Sequence, residues 1–285
     1  MNITIIGLGL LGGSYALSLR DKYPKMLFSG IDVSEVNGRL AVAKGIVDKT
    51  GSLETLIPTS DLVILAIPVD KILEVLPKVL DLLPDYGTVI DLGSTKELIC
   101  ALADQHPKRS QFVAAHPMAG TENSGPSAAF KDLLPHRNVI ICDKEKSNAN
   151  SLVLAESLFR DIGMKIHYMT PAEHDLHLAY VSHLSHVLSF ALGVTVLEKE
   201  KDERNIFAMA GTGFGSTVRL AKSSPAMWTP IFDHNRKNVI KATSDYIEFL
   251  QQFKQILENE DNDSSNEFIN RANEIRRVLA GIEKK

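Results

Sequence analysis

Asn2-Ile3-Thr4-Ile5-Ile6-Gly7-Leu8-Gly9-Leu10-Leu11-Gly12 stands next to the N-terminus and decides the fold. The short apolar run before Gly7 suits a strand buried on both faces, as in a parallel sheet. It leads into Gly-x-Gly-x-x-Gly, and a helical pattern begins near Leu11. The three glycines serve different ends. Gly7 permits the tight turn, Gly9 lets a pyrophosphate approach the backbone, and Gly12 lets helix and sheet pack closely. Leu10 and Leu11 carry the loop into the helix, whose free N–H groups and positive dipole end attract phosphate. The spacing alone is a weak signal; a strand before it and a helix after it make it a dinucleotide-binding turn.

The second half of that fingerprint is Asp32, about 20 residues past Gly12 and at the end of the next apolar run. A carboxylate there accepts hydrogen bonds from ribose hydroxyls and repels a 2′-phosphate. The following residues, Val33-Ser34-Glu35-Val36, include no arginine. NAD is therefore expected rather than NADP, with FAD as the alternative.

Outward from this turn, short apolar runs alternate with helical patterns, which implies a parallel sheet covered by helices. Strands are expected at 2–6, 27–32, 62–66, 88–91, 112–115, 139–141 and 165–168. Helices are expected from about 11 and over 70–82, and Gly163 reads as a helix end. After Met169 no strand pattern follows. Thr170-Pro171-Ala172-Glu173 has the form of a helix start, with Thr as N-cap, Pro at the first position and Glu at the third. The helix it opens is expected to run to about residue 199, with further helical runs at 203–211, 216–222, 226–258 and 266–282 and an exposed connection at 258–266. The expectation is an α/β protein: a Rossmann-type dinucleotide-binding domain over 1–169 and an all-helical domain over 170–285.

The 285 residues carry a net charge of −4 without clustered Lys or Arg, which argues against a nucleic-acid or polybasic membrane partner. Cys100 and Cys142 lack metal-type spacing and fit a reducing cytoplasm. The N-terminus lacks the basic segment of a signal peptide. Residues 178–197 contain no Asp, Glu, Lys or Arg and are long enough to span a bilayer, but His183, His186 and three serines favour a buried helix of a soluble protein.

In an open parallel sheet, ligands bind beyond the carboxyl ends of the strands. Pro68 turns the chain after the 62–66 strand and is expected beside the cofactor. Ser94 follows the strand ending at Asp91, and His116 follows Phe112-Val113-Ala114-Ala115. A neutral imidazole near a nicotinamide can accept a hydroxyl proton as hydride leaves the carbon. Ser94 is expected to orient that ring through its second nitrogen. Arg219, among small and apolar neighbours, is expected to be a partly buried guanidinium, paired either with a substrate carboxylate or with an internal acid. His183 and His186 share a helix face, yet no carboxylate or cysteine completes a metal set, so no metal is expected.

The sequence resembles the prephenate dehydrogenase family over roughly residues 1–250. The resemblance rests on His116-Pro117-Met118-Ala119-Gly120-Thr121-Glu122, Ser182-His183-Leu184-Ser185-His186, Thr217-Val218-Arg219-Leu220-Ala221 with Met227-Trp228, and Asp91-Leu92-Gly93-Ser94-Thr95-Lys96. It implies that His116 is the catalytic histidine and that Ser94 holds it and touches substrate or nicotinamide. It implies that Arg219 binds the side-chain carboxylate and that His186, Glu122 and Trp228 line the pocket. It further implies a homodimer through the helical domain and a step in tyrosine biosynthesis, with arogenate as the alternative substrate. A non-catalytic NAD sensor is the rival from another class; a sensor need not keep His116 and Arg219. Many relatives carry an acid where this chain has Ser216, so an ion pair from that position to Glu122 is absent and a gating role for Glu122 is in doubt. The sequence shows no fused mutase or ACT module, so any feedback by tyrosine is expected at the active site.

Overall fold

The computed structural model describes residues 1–203 and 205–283. Eight strands form one sheet: β1 (Asn2–Ile6), β2 (Leu27–Ile31), β3 (Lys49–Thr50), β4 (Leu62–Leu65), β5 (Thr88–Asp91), β6 (Phe112–Pro117), β7 (Asn138–Cys142) and β8 (Lys165–Met169), in the order β3-β2-β1-β4-β5-β6-β7-β8. The order reverses at β1, which pairs with both β2 and β4, so the crevice beyond its carboxyl end is where such sheets bind nucleotides. The two-residue β3 was not foreseen, being too short to show a period.

The sheet departs from the all-parallel expectation at one joint. β7 runs antiparallel to β6, with His116 opposite Ile140, and β8 then follows β7 in parallel. An apolar run carries no sign of direction, so the sequence pattern could not reveal the reversal.

Helices α1 (Leu10–Lys22), α2 (Glu35–Ala43), α3 (Leu53–Leu56), α4 (Val69–Leu82), α5 (Glu97–Ala103) and α6 (Ala149–Ile162) alternate with the strands. One apolar cluster joins Ile3, Ile5, Tyr15 and Phe159, and a second joins Val63, Leu65, Leu76 and Phe112. The central strands are therefore covered on both sides, as their unbroken hydrophobicity requires. Gly163 ends α6 at φ 90°, the left-handed position that glycine fills without strain.

The Thr170 start is realised as read. Thr170 and Glu173 form a reciprocal capping box at the head of α7 (Pro171–Leu178). A π-helical turn over Ala179–His183 leads into α8 (Leu184–Asp202). Within Pro171–Lys201, the one described helix long and apolar enough to cross a membrane, only 17% of the apolar window is buried inside one copy, so the burial expected of this helix is not supplied by its own chain.

Several later helices are shorter than expected. Of the 203–211 run, in which Arg204 lies outside the described residues, the described part holds a 3-10 turn, Phe207–Met209. Arg219 lies not in a helix over 216–222 but in a 3-10 turn, Arg219–Lys222, after α9 (Thr212–Thr217). The 226–258 run breaks at Asn235 between α10 (Pro225–His234) and α11 (Arg236–Glu258). The expected connection at 258–266 is instead largely helix: Asp261 accepts from the Ser264 N–H and starts α12 (Asn262–Asn273), which precedes α13 (Arg276–Glu283). By compactness the chain divides into Met1–Arg236 and the segment from Lys237 onward, so α7 to α10 pack within the sheet-bearing unit.

Candidate active site

The glycine-rich turn is built as its residues require. Gly7 adopts φ +94°, and a Cβ there would lie 2.3 Å from the Ala66 carbonyl oxygen. At Gly12 a Cβ would lie 2.1 Å from the Gly7 carbonyl oxygen. Gly9 differs: a Cβ added to it meets no protein atom within 4 Å. Gly9 also caps α1 without any side-chain hydrogen bond, and the first turn, which includes Leu10 and Leu11, holds no acid. The helix end is thus bare, uncharged and open, which fits a pyrophosphate.

Asp32 stands just past β2. One carboxylate oxygen accepts from the Leu8 N–H at 3.0 Å and the other from the Ser34 N–H at 2.9 Å. These bonds lock the acid to the glycine loop. A concavity beside it is lined by Asp32, Ser34, Gly38, Arg39, Thr50 and Gly51. Arg39, from α2, and the residues of the unforeseen β3 were missed by sequence reasoning. Arg39 is held by Glu35 at 3.2 Å, which gives it an acidic partner one helical turn away. Pro68 is exposed and caps α4, at the same end of the sheet as the glycine loop.

His116 lies on β6, 8% exposed. Its Nδ1 lies 2.9 Å from His174 Nε2, and His174 Nδ1 lies 2.7 Å from Asp175 Oδ1. Asp175 in turn accepts from the backbone N–H groups of Lys96, at 2.8 Å, and Glu97, at 2.9 Å, and so caps α5 from a distance. The expectation that Ser94 orients the ring is corrected here: among the described residues no hydrogen bond joins Ser94 to His116, because His174 occupies Nδ1. Ser94 remains half-buried at the end of β5. His174 and Asp175 were missed as site residues. Their one local signal was an adjacent His and Asp directly after the capping box.

Burial, then the neighbouring His174, Lys96 and His183, push the His116 pKa well below the usual histidine range. Burial likewise lowers His174, against the opposing hydrogen bond to Asp175. Burial works against ionisation of Asp175, yet the His174 and backbone hydrogen bonds outweigh it and hold the carboxyl below its ordinary value. Beneath the histidines, Lys96 is fully buried and ion-paired with Asp91.

The helical side supplies an aromatic wall. His186 stacks on Trp228 with ring centroids 3.4 Å apart and planes 23° off parallel. The His186 Nδ1 lies 3.0 Å from the Ser182 carbonyl, four residues back, which makes it a donor and leaves Nε2 as an acceptor. Burial and then the Arg219 charge lower the pKa of His186. His183 packs edge-on to Trp228 and takes a hydrogen bond from Asn235, whose amide also donates to the Asp175 carbonyl. Asn235 stands at the break between α10 and α11, and its side chain ties the end of α10 to α7.

Arg219 is not the partly buried guanidinium that its neighbours suggested: its side chain is 55% exposed. It pairs with Glu122, on the loop after His116, at 3.6 Å. Glu122 thus has an ionic partner despite Ser216, and that partner is the arginine itself.

The comparisons agree along the chain. Residues 15–168 match the family model for the prephenate dehydrogenase nucleotide-binding domain, and residues 170–275 match that for the prephenate dehydrogenase dimerization domain. The chain belongs to the prephenate dehydrogenase family. It is 31% identical over 262 residues to the prephenate dehydrogenase of Bacillus subtilis (strain 168), covering 91% of this chain and 71% of that protein. It is equally 31% identical over 265 residues to the cyclohexadienyl dehydrogenase of Zymomonas mobilis, covering 92% of this chain and 90% of that one. The crystal structure of Aquifex aeolicus prephenate dehydrogenase with hydroxyphenyl propionate and NAD+ superposes with a TM-score of 0.89 at 33% identity, covering 99% of this chain and 98% of that one. As a member of the prephenate dehydrogenase family, the chain is an oxidoreductase of prephenate/arogenate dehydrogenase activity in tyrosine biosynthesis, with an N-terminal nucleotide-binding domain and a C-terminal helical dimerisation domain.

Proposed function

We propose that the chain catalyses the NAD-dependent oxidative decarboxylation of prephenate to 4-hydroxyphenylpyruvate, as a homodimer in the cytoplasm. The observation that carries this reading is a buried imidazole, His116, at the carboxyl edge of the sheet, with its Nδ1 engaged by His174 and its pKa pushed well below the usual histidine range by burial. Gly7, Gly9, Leu10, Leu11, Gly12, Asp32, Pro68 and Ser94 would hold NAD, and Asp32 favours it over NADP by repelling a 2′-phosphate. When bound, the nicotinamide supplies the hydride acceptor. His116 accepts a hydrogen bond or the proton from the ring hydroxyl as hydride leaves the carbon that bears it, and a proton so taken returns to the phenolic oxygen as the ring aromatises. The ring carboxylate departs as carbon dioxide, and aromatisation drives the step. Arg219 binds the carboxylate of the pyruvyl side chain, while His186, Glu122 and Trp228 line the pocket.

The homodimer is supported by the exposed apolar side chains of α8 and the turn after it, among them Val194, Leu197 and Met209. Arogenate is the second reading, favoured by one observation: the Glu122 carboxylate lies beside Arg219, where it could pair with an amine next to the bound carboxylate. Purified protein mixed with NAD or NADP and with prephenate or arogenate, followed by NADH or NADPH absorbance, tests all of these. The fastest rate is expected with prephenate and NAD. No reduced cofactor with either acid overturns the proposal.

A further inference from the structure

The hydrogen-bond chain behind His116 has one consistent direction. Asp175 accepts at both oxygens, two of its bonds coming from backbone N–H groups that can only donate. The carboxyl is held ionised, so it has no proton to give. His174 Nδ1, 2.7 Å away, must therefore carry a hydrogen. A neutral His174 then has a bare Nε2, and only one hydrogen fits in the 2.9 Å gap to His116 Nδ1. That hydrogen belongs to His116, whose Nε2 is consequently the acceptor.

We propose that His174 and Asp175 are positioning residues that fix the tautomer and orientation of His116, so that its working nitrogen is always the unprotonated one. The proposal rests on the reading of His116 as the hydroxyl-proton acceptor. Its structural part, the tautomer, can be measured without any substrate. The anchor is rigid because Asp175 is held by the first turn of α5 and sits on the capped helix α7, so the imidazoles are aligned by two helices rather than by a loop.

The test is nitrogen NMR of protein labelled with ¹⁵N-histidine, the His116 signals being identified by their loss in His116→Asn. In the wild type, Nδ1 is expected to be protonated and Nε2 bare. Asp175→Ala removes the acceptor that keeps the hydrogen on His174 Nδ1, so both imidazoles can exchange tautomer and a part of His116 is expected to carry its proton on Nε2. Turnover at neutral pH should then fall severalfold, with KM for NAD unchanged. His174→Gln keeps an acceptor toward His116 and a donor toward Asp175, and should keep the Nδ1–H tautomer and most of the turnover. A wild-type His116 with its proton on Nε2, or an Asp175→Ala protein with unaltered tautomer and turnover, overturns the proposal. The wild-type spectrum decides it even where Asp175→Ala does not fold. If instead the wild type reduces NAD with neither prephenate nor arogenate while the tautomer is as stated, the reaction reading fails and the hydrogen-bond assignment stands.

Discussion

The carboxylate of Glu122 lies 3.6 Å from the guanidinium of Arg219, so the group expected to receive a substrate carboxylate already holds one from its own chain. Both side chains are substantially exposed, and such pairs contribute only about 0–1 kcal/mol. A substrate carboxylate with bidentate geometry can therefore displace Glu122 at small cost. Glu122→Gln is expected to lower KM for prephenate by about two- to fivefold, the equivalent of up to ~1 kcal/mol, and to leave Tm unchanged. Arg219→Ala should raise the same KM tenfold or more by roughly the strength of a charge-assisted pair. Steady-state kinetics with both acids checks this. A KM for arogenate that rises in Glu122→Gln while that for prephenate stays constant would reassign Glu122 to amine recognition.

The buried histidines predict an acid-sensitive fold. Burial lowers the His183 pKa to about 4 against an ordinary value of 6.5. Above pH ~6.5 the group is neutral whether folded or unfolded and has no effect on stability. As the pH falls below that value the unfolded chain takes up the proton and the native chain does not, so stability declines until about pH 4. By pH 5 the loss from this residue alone is about 2 kcal/mol. Urea midpoints measured at pH 7 and pH 5 should show it, and His183→Gln should flatten the difference.

The same sign governs activity. His116 and His174 are both held below the usual histidine range, so the acid limb of kcat/KM should lie below pH ~6.5 rather than at it. His116→Asn should lower kcat by about 10²- to 10⁴-fold with NAD binding nearly unchanged. Near-normal turnover in that variant would remove His116 from its role.

What could be read from the sequence follows the range of the interactions involved. The strand–glycine–helix turn, the Thr170 capping box and the Gly163 helix end are each decided within a few residues, and each stands where it was read. The reversal of β7 is decided by pairing to β6, which no local pattern records. The Asp261 cap was legible in Asp261-Asn262-Asp263-Ser264, but the polar composition of that stretch masked it. Within the site, His116 was visible because it ends an apolar strand. Its partner, His174, lies 58 residues away, and the link between them exists only once α7 packs against α5. Arg219 misled because small neighbours in sequence do not imply burial in space.

Lys96 and Asp91 form an ion pair with no solvent exposure on either side chain. Asp91 also accepts from the Gly93 N–H at 3.1 Å and from the Ala115 N–H at 3.2 Å, the residue directly before His116. Removing the lysine strands a buried carboxylate, which costs about 3–5 kcal/mol, whereas removing both charges costs far less. Lys96→Met is therefore expected to lower Tm strongly, and the double variant Lys96→Met/Asp91→Asn should recover much of the loss. Thermal unfolding of the two proteins checks the order; a double variant less stable than the single would show that the aspartate is needed for its backbone bonds alone.

The glycines of the first turn make a paired prediction about cofactor and fold. Gly12→Ala sets a Cβ 2.1 Å from the Gly7 carbonyl oxygen, a backbone atom that cannot give way, so the variant should lose stability by the several kcal/mol of a forced core contact or fail to fold. Gly9→Ala sets a Cβ in open space, and Gly9 has φ −76°, which alanine adopts freely. Its Tm should stay within a degree or two of wild type, or rise slightly through a less flexible unfolded chain. Its KM for NAD should nonetheless rise tenfold or more, because the new methyl stands where the pyrophosphate would approach the bare end of α1. Asp32→Ala should also weaken NAD, and by more than it weakens NADP. Titration of each variant with NAD and NADP, beside a thermal melt, separates the cases: an NAD affinity unchanged in Gly9→Ala would mean that the dinucleotide does not lie across that helix end.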